Sequence, residues 1–473
     1  MNQGMKEEKS IGQQRKEALF YRKQNVYEAC DEQRLREIFS YAEGYKHFID
    51  ESKTEREAVK VGISMLEKAG FHEYRFGDKL SVGDKIYYNN RGKSLIACII
   101  GSDNLEEFGI RIAIAHIDSP RIDLKQNPLY EDSGMAFFKT HYYGGIKKYQ
   151  WTAIPLALHG TVMRADGTEI SIVIGEDEND PVFYINDLLP HLAQEQGKQP
   201  LSSAIAGESL NLLIGGLPYA DSAIDEKIKL GVMSILNEKY GITEEDFLSA
   251  ELSAVPAYKA RDIGFDRAFI AAYGHDDRVC AYPALTSLIE KSDKKRTVMV
   301  VLADKEETGS NGNTGMQSRL LSDMIDAISY AFDACPARVR AASICLSADV
   351  NAAFDPNFAE VYEKRNCAML SCGATMSKYT GSRGKSSTND ASAETVSRIR
   401  RMLASRGIIW QTAELGKVDL GGGGTVAMYI ANMNIDTVDF GVPVISMHAP
   451  YEVISKADLY TLKEALLAFY EEE

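Results

Sequence analysis

The chain has 473 residues, 45% of them hydrophobic, with 68 acidic side chains against 53 Lys and Arg and a formal net charge of −15 at pH 7. That length can build two domains with sizeable cores, and that charge repels phosphates, which excludes nucleic acid and an anionic membrane as main partners. No run approaches the ~18 consecutive apolar residues of a membrane span, and the start MNQGMKEEKSIGQQRKEALF lacks the apolar region of a signal peptide, so a cytoplasmic chain acting on a small solute is expected.

Residues 1–70 read as helical and charged, with EREAVKVGISMLEKAG carrying an apolar stripe at helical spacing that stops at Gly70. KIYYNN, SLIACIIG and GIRIAIAHID then have strand character between turn residues. From 123 to 255 the chain becomes β-rich (WTAIPLALHGTVM, TEISIVIGE, PVFYIN), with GEDEND and LPHLAQEQGKQP as loops. Strands and helices alternate again afterwards, the helices being HDDRVCAYPALTSLIEK, TGMQSRLLSDMIDAISYAF, ETVSRIRRMLASRG and KADLYTLKEALLAFYEEE. This order predicts an α/β domain of residues 1–122 and 256–473, a mixed central sheet flanked by helices, interrupted by a β-rich insertion over 123–255. Seven cysteines, several in apolar runs (Cys98, Cys280, Cys345) and none in a Cys-x-x-Cys pair, read as reduced core thiols and exclude a zinc ribbon.

Acidic residues and histidines fall just past several apolar, strand-like runs: His116 and Asp118 after RIAIA, His275, Asp276 and Asp277 after AFIAAYG, Glu306 and Glu307 after VMVVLADK, Asp349 after SICLSA, and His448 after DFGVPVISM. Loops at the carboxyl ends of strands are where open α/β sheets place their chemistry. Mixed imidazoles and carboxylates suit a borderline metal such as zinc. Two histidines and three carboxylates suffice for two metals if one carboxylate bridges, leaving Glu306 as a proton acceptor, so the pattern proposes a two-metal hydrolase. Each motif also has a plainer reading. His116 with Asp118 is either a polar loop or an imidazole held in its ligating tautomer by a carboxylate. Asp276 and Asp277 serve equally as a helix cap, and His448 as a turn residue. The adjacent carboxylates Glu306 and Glu307 repel each other, and a cation would offset that repulsion.

Rival readings exist. Gly384, Lys385 and Ser386 before a helix-like run resemble the end of a P-loop, which would make the chain an NTPase. The glycine such a loop needs five positions earlier is Tyr379, and Gly421 to Gly424 are not followed by Lys. A scaffold that has lost activity, or a dinuclear amidohydrolase or carboxypeptidase, would use the same folds.

The blocks AHIDSPRIDLK, HDDR, EETGSNGNTGM, SADVNAAFDPN and SMHAPYE resemble, in order, those of the aspartyl aminopeptidase and vacuolar aminopeptidase I family of zinc metallopeptidases. The resemblance implies a zinc-peptidase-like catalytic domain with an inserted dimerisation domain, assembling from dimers into dodecamers. It implies removal of N-terminal residues from peptides with a free N-terminus, through a water bridging two divalent ions per chain, zinc with manganese or cobalt as alternatives. His116 and Asp349 would hold one ion, Glu307 and His448 the other, and Asp276 would bridge. Glu306 would be the general base, and Asp118 would orient His116. Related dinuclear peptidases suggest a cis bond between Asp276 and Asp277. The chain departs from the family pattern at Ala352, Asp355 and Glu195, where many relatives have histidines near the substrate, so a neutral or broad preference stands beside an acidic one. Lys378, Arg383 and Lys385 remain as bases that could meet an acidic side chain, or as a solvated loop.

Overall fold

The computed structural model describes residues 9–292 and 294–472. Its centre is a nine-stranded mixed sheet. Four neighbouring strands in it are parallel, in the order Thr297–Ala303, Ile110–His116, Ile344–Ser347 and Asp436–Gly441. Ser94–Ile99 runs antiparallel beside the first, and Ala374–Ser377 antiparallel beside the last. The two innermost strands read IRIAIAH and TVMVVLA and are buried along their whole length, as parallel strands covered on both faces must be.

Alternation assigns each strand's side chains to one layer or the other. Ile110, Ile112 and Ile114 enter a core shared with the helix Leu320–Ala331, whereas Ala113 and Ala115 face a second core. There the helices Glu32–Asp50, Glu55–Lys68, His275–Glu290 and Lys456–Tyr470 pack. The two alanines leave room for the helix His275–Glu290 to lie close against the sheet, which brings its first turn to the carboxyl end of the Ile110–His116 strand. Helix starts follow local chemistry: Thr54 caps Glu55–Lys68 in a capping box with Glu57, and Ser392 caps Ala393–Ser405.

A second sheet of seven strands is built wholly between Arg121 and Pro256 and has its own core around Trp151, Phe138 and Leu158. This stretch also contains the helix Lys227–Tyr240, absent from the sequence reading because its apolar residues lie mostly half-exposed, Ile228 alone being buried. Ion pairs join the second sheet to the first layer. His159, in the strand Leu156–Met163, reaches Glu57 at 2.7 Å and Glu176 at 3.0 Å, and Lys53 reaches Glu176 at 2.6 Å.

A third sheet was also not foreseen. Its five strands are Arg261–Ile263, Phe269–Ala272, Glu452–Ser455, Pro443–Ile445 and Asn351–Ala352. Its segments lie far apart in sequence, and its function in the fold is to bring Asp276, Asp349 and His448 to one place.

Candidate active site

Three adjacent parallel strands deliver three parts of the site. Ile110–His116 ends in His116, whose register partner Ala303 ends the next strand and leads to Glu306 and Glu307. Ile344–Ser347, on the other side, leads to Asp349. Lys305 adopts a left-handed φ of 66°, which turns the chain so that both glutamates line the cleft. Asp276 comes from the first turn of the helix His275–Glu290, and the bond between Asp276 and Asp277 is cis, as expected. His448 sits between two strands of the third sheet.

Asp276, Glu306, Glu307, Asp349 and His448 line one cleft of about 570 Å³, with His116 and Asp118 directly behind it, whereas His275 is turned into the core against Tyr45 and the Ile270 carbonyl. Asp276 stands between the two imidazoles, its Oδ1 3.0 Å from His116 Nε2 and its Oδ2 3.2 Å from His448 Nε2. Asp349 Oδ1 lies 3.8 Å from His116 Nε2, and Glu307 Oε2 lies 3.5 Å from His448 Nε2. Glu306 Oε2 is 3.9 Å from His116 Nε2. Candidate ligand atoms of His116, Asp276 and Asp349 fall within 4.8 Å of one another, as do those of Asp276, Glu307 and His448 and those of His116, Glu306 and Glu307.

Hydrogen bonds behind the cleft orient these groups. His116 Nδ1 donates to the Asp118 carbonyl at 3.0 Å, and His448 Nδ1 donates to the Gly145 carbonyl at 2.9 Å. Each ring therefore turns Nε2, the usual ligating atom, towards Asp276. The Asp118 carboxylate, 3.4 Å from His116 Nδ1, also accepts the backbone N–H groups of Glu306 and Glu307 at 3.1 and 3.2 Å. The same carboxylate thus holds the turn that carries both glutamates. Burial would raise its pKa, but His116, Tyr143 and Arg121 hold it below the ordinary carboxylate value. Asp277 accepts the His116 backbone N–H at 3.3 Å from inside the core, so it braces the strand end.

The sequence reading missed three contributors. Glu452, fully buried, accepts the backbone N–H of Asp276 at 3.1 Å and that of His448 at 2.7 Å. It lies four positions after His448 within SMHAPYE, a spacing that carried no signal of its own. Tyr143 donates to Asp118 Oδ2 at 2.8 Å, and Gly145 supplies the carbonyl on His448. Both come from a strand end that read only as part of the insertion.

The donor set fits divalent cations. Burial first, and then the neighbouring carboxylates, push Glu306 up to about 8 and Asp349 up to about 7, and Glu307 well above the usual range. Burial opposes protonation of His448, yet its bond to Asp276 pushes it up to about 10. Glu307 Oε1 is buried with no hydrogen-bond partner. A cluster that must otherwise take up protons, with one orphaned buried carboxylate oxygen, is the environment that cations neutralise.

The bases named for substrate preference do not line this cleft. Lys385 and Lys378 reach Asp390 at 2.8 and 3.6 Å, and Arg383 lines an adjoining hollow of about 400 Å³. Glu195 lies in the second-sheet region, paired with Lys198 at 2.6 Å, and Asp355 caps a short 3-10 turn. The P-loop reading fails on geometry. Gly384 to Ser386 sit in a turn closed by a bond from Ser386 N to the Ser382 carbonyl, and the helix beyond begins only at Ala393 with its N-terminus capped by Ser392.

Imidazoles and carboxylates at the carboxyl ends of parallel strands, around a cleft open to solvent, define a metal-dependent hydrolase. The chain belongs to the aminopeptidase I zinc metalloprotease (M18) family, which it matches over residues 48–470. It is 50% identical over 453 residues to the probable M18 family aminopeptidase 1 of Clostridium acetobutylicum, covering 94% of this chain and 97% of that one. The crystal structure of an M18 family aminopeptidase from Thermotoga maritima superposes with a TM-score of 0.92 at 43% identity, covering 96% of this chain and 100% of the other. At 22% identity the fold alone is shared with the S. cerevesiae mApe1 dodecamer, with a TM-score of 0.75 over 91% of this chain and 96% of that one. The protein is a metal-dependent aminopeptidase.

Proposed function

We propose that two divalent ions per chain, zinc with manganese and cobalt as alternatives, are held by His116, Asp276 and Asp349 on one side and by Asp276, Glu307 and His448 on the other. The observation that carries this reading is Asp276, whose two oxygens each face a different imidazole at 3.0 and 3.2 Å. When bound, such ions act as Lewis acids on the scissile carbonyl and lower the pKa of water. Glu307 is assigned as ligand because its carboxylate faces His448 and has a buried oxygen without a partner. Glu306, next to it on the cleft wall and 3.9 Å from His116, is left as the general base. Its carboxylate on the cleft wall is placed to take a proton from the attacking water and return it to the departing amine. Asp118 keeps the turn of Glu306 and Glu307 and the ring of His116 in register. Two such ions would also collect the free α-amine of a peptide, which favours substrates with a free N-terminus.

Residues 1–122 and 256–473 are read as the catalytic domain and 123–255 as an inserted dimerisation domain. The second sheet has Glu169–Ile174 as an open edge strand, whereas Tyr184–Ile185 at its other end is bridged back to the sheet through Phe183 and Leu156. Beside the open edge Ile174, Val182, Tyr184 and Ile235 line an apolar groove of about 660 Å³. Exposed edges and apolar grooves are stable when another surface covers them, and the proposed cover is the same region of a second copy, with dimers building a dodecamer. Among the described residues no helix is long and apolar enough to cross a membrane, and a cytoplasmic location is proposed. The test is to strip the protein with a chelator, reload it with zinc, manganese or cobalt, and assay an aminoacyl reporter with a free and an acetylated N-terminus. Two ions per chain and cleavage of the free substrate alone are expected. A single ion, or equal cleavage of the blocked substrate, rejects the reading.

A further inference from the structure

The strand Met135–Tyr143 of the second sheet ends at the cleft, where Tyr143 meets Asp118 and, two residues on, Gly145 meets His448. Tyr143 Oη donates to Asp118 Oδ2 at 2.8 Å, the same oxygen that accepts Glu307 N. Burial, with the Asp118 charge beside it, keeps this phenol protonated well above the ordinary tyrosine range, so it is the donor. The ring is itself held. The Arg121 guanidinium stacks on it at 4.1 Å and is anchored by Asp123 at 2.8 Å and Glu55 at 3.0 Å. Two residues on, the Gly145 carbonyl fixes His448 Nδ1. The backbone passes close to Glu307 and His448 along this path. Gly144 has a φ of +73°, and a Cβ there would lie 3.4 Å from Glu307 Oε2; one on Gly145 would lie 3.3 Å from His448 Nδ1.

We infer that Tyr143, Gly144 and Gly145 form a positioning device through which the second sheet sets the geometry of both metal half-sites, Tyr143 by way of Asp118 and Gly145 by way of His448. The inference rests on the ligand assignment proposed above. It makes Tyr143 a positioning residue, because its phenol acts through Asp118 on His116 and on the turn of Glu306 and Glu307. Groups that orient metal ligands typically contribute ~10- to 100-fold to metal affinity or activity.

The test is zinc binding measured by competition with a chromophoric chelator, beside steady-state kinetics at saturating zinc. Tyr143→Phe deletes one hydroxyl and keeps the ring that stacks on Arg121. It should weaken zinc ~10- to 100-fold and lower kcat with KM nearly unchanged. Gly145→Ala should weaken one of the two ions and leave the other at the parent value. Tyr142→Phe, on the exposed neighbouring position, should match the parent in every measurement. Parent-like zinc affinity and kcat in Tyr143→Phe, with Asp276→Ala binding poorly, would overturn the inference while leaving the ligand assignment intact. A parent protein that bound no zinc, or an Asp276→Ala variant that bound two ions, would overturn both.

Discussion

Glu306 and Glu307 are adjacent, equally acidic in sequence, and separated in role only by what each faces. Glu307 lies against His448, and Glu306 lies nearer His116 across the cleft. Glu306→Gln keeps the shape but removes the proton acceptor, so zinc content should stay at the parent level while kcat falls ~10²- to 10⁴-fold. Glu307→Gln should instead lower both zinc content and rate; a reversed pattern, read by elemental analysis and turnover on an aminoacyl reporter, would exchange the two assignments. Glu452 works at one remove. Its two oxygens position the backbone of Asp276 and of His448, the latter in a left-handed conformation with φ 66° that costs on the order of 1–3 kcal/mol outside glycine. In Glu452→Gln one acceptor becomes a donor facing an N–H, and zinc retention during dialysis should drop ~10- to 100-fold; unchanged retention would show that the loop holds His448 without it.

At the scale of elements, the helix Glu55–Lys68 is tied to the second sheet through His159, which bridges Glu57 and Glu176 with Lys53 and Lys259 close by. Burial depresses the imidazole's proton affinity, but the two glutamates outweigh it and raise the folded pKa above 6.5. Glu176 is held down to about 2 from 4.5, burial opposing and His159 and Lys53 prevailing, and Glu57 is also lowered. A raised histidine contributes stability that is complete below its unfolded value near 6.5 and fades as pH climbs through the folded value. Depressed carboxylates contribute above about 4.5 and fade as pH falls towards 2. The cluster therefore stabilises most between those limits. Calorimetric Tm of the parent should decline from pH 6.5 to 8.5 more steeply than that of His159→Gln, and parallel curves would remove this junction as the cause.

For the whole molecule, the exposed apolar residues of the second-sheet region matter more than the catalytic layer. Ile235 is 62% exposed and Val182 53%, and both line the apolar groove. If a second copy covers this groove, light scattering at micromolar concentration should find the parent as a multiple of the single chain. Ile235→Asp should shift it towards smaller species without changing zinc content. A parent that stayed monomeric would rule out the dimer and the dodecamer together.

The strands IRIAIAH and TVMVVLA could be read directly because burial on both faces demands continuous apolar side chains, and the chemistry-bearing residues followed at their carboxyl ends. His116, Asp276, Glu306, Glu307, Asp349 and His448 stood out among imidazoles and carboxylates just past apolar runs, and the resemblance of the motif blocks picked them from that wider group and pointed to the family that residues 48–470 match. The helix Lys227–Tyr240 escaped notice because its apolar residues are mostly half-exposed, so burial leaves little periodic trace. The third sheet, and the parts played by Tyr143, Gly145 and Glu452, were decided only in three dimensions. Their contacts span 25 residues from Tyr143 to Asp118, 303 from Gly145 to His448 and 176 from Glu452 to Asp276. A tyrosine hydroxyl, a glycine carbonyl and a buried glutamate acquire a role only from what the packed layers place opposite them, and local periodicity does not encode that partner.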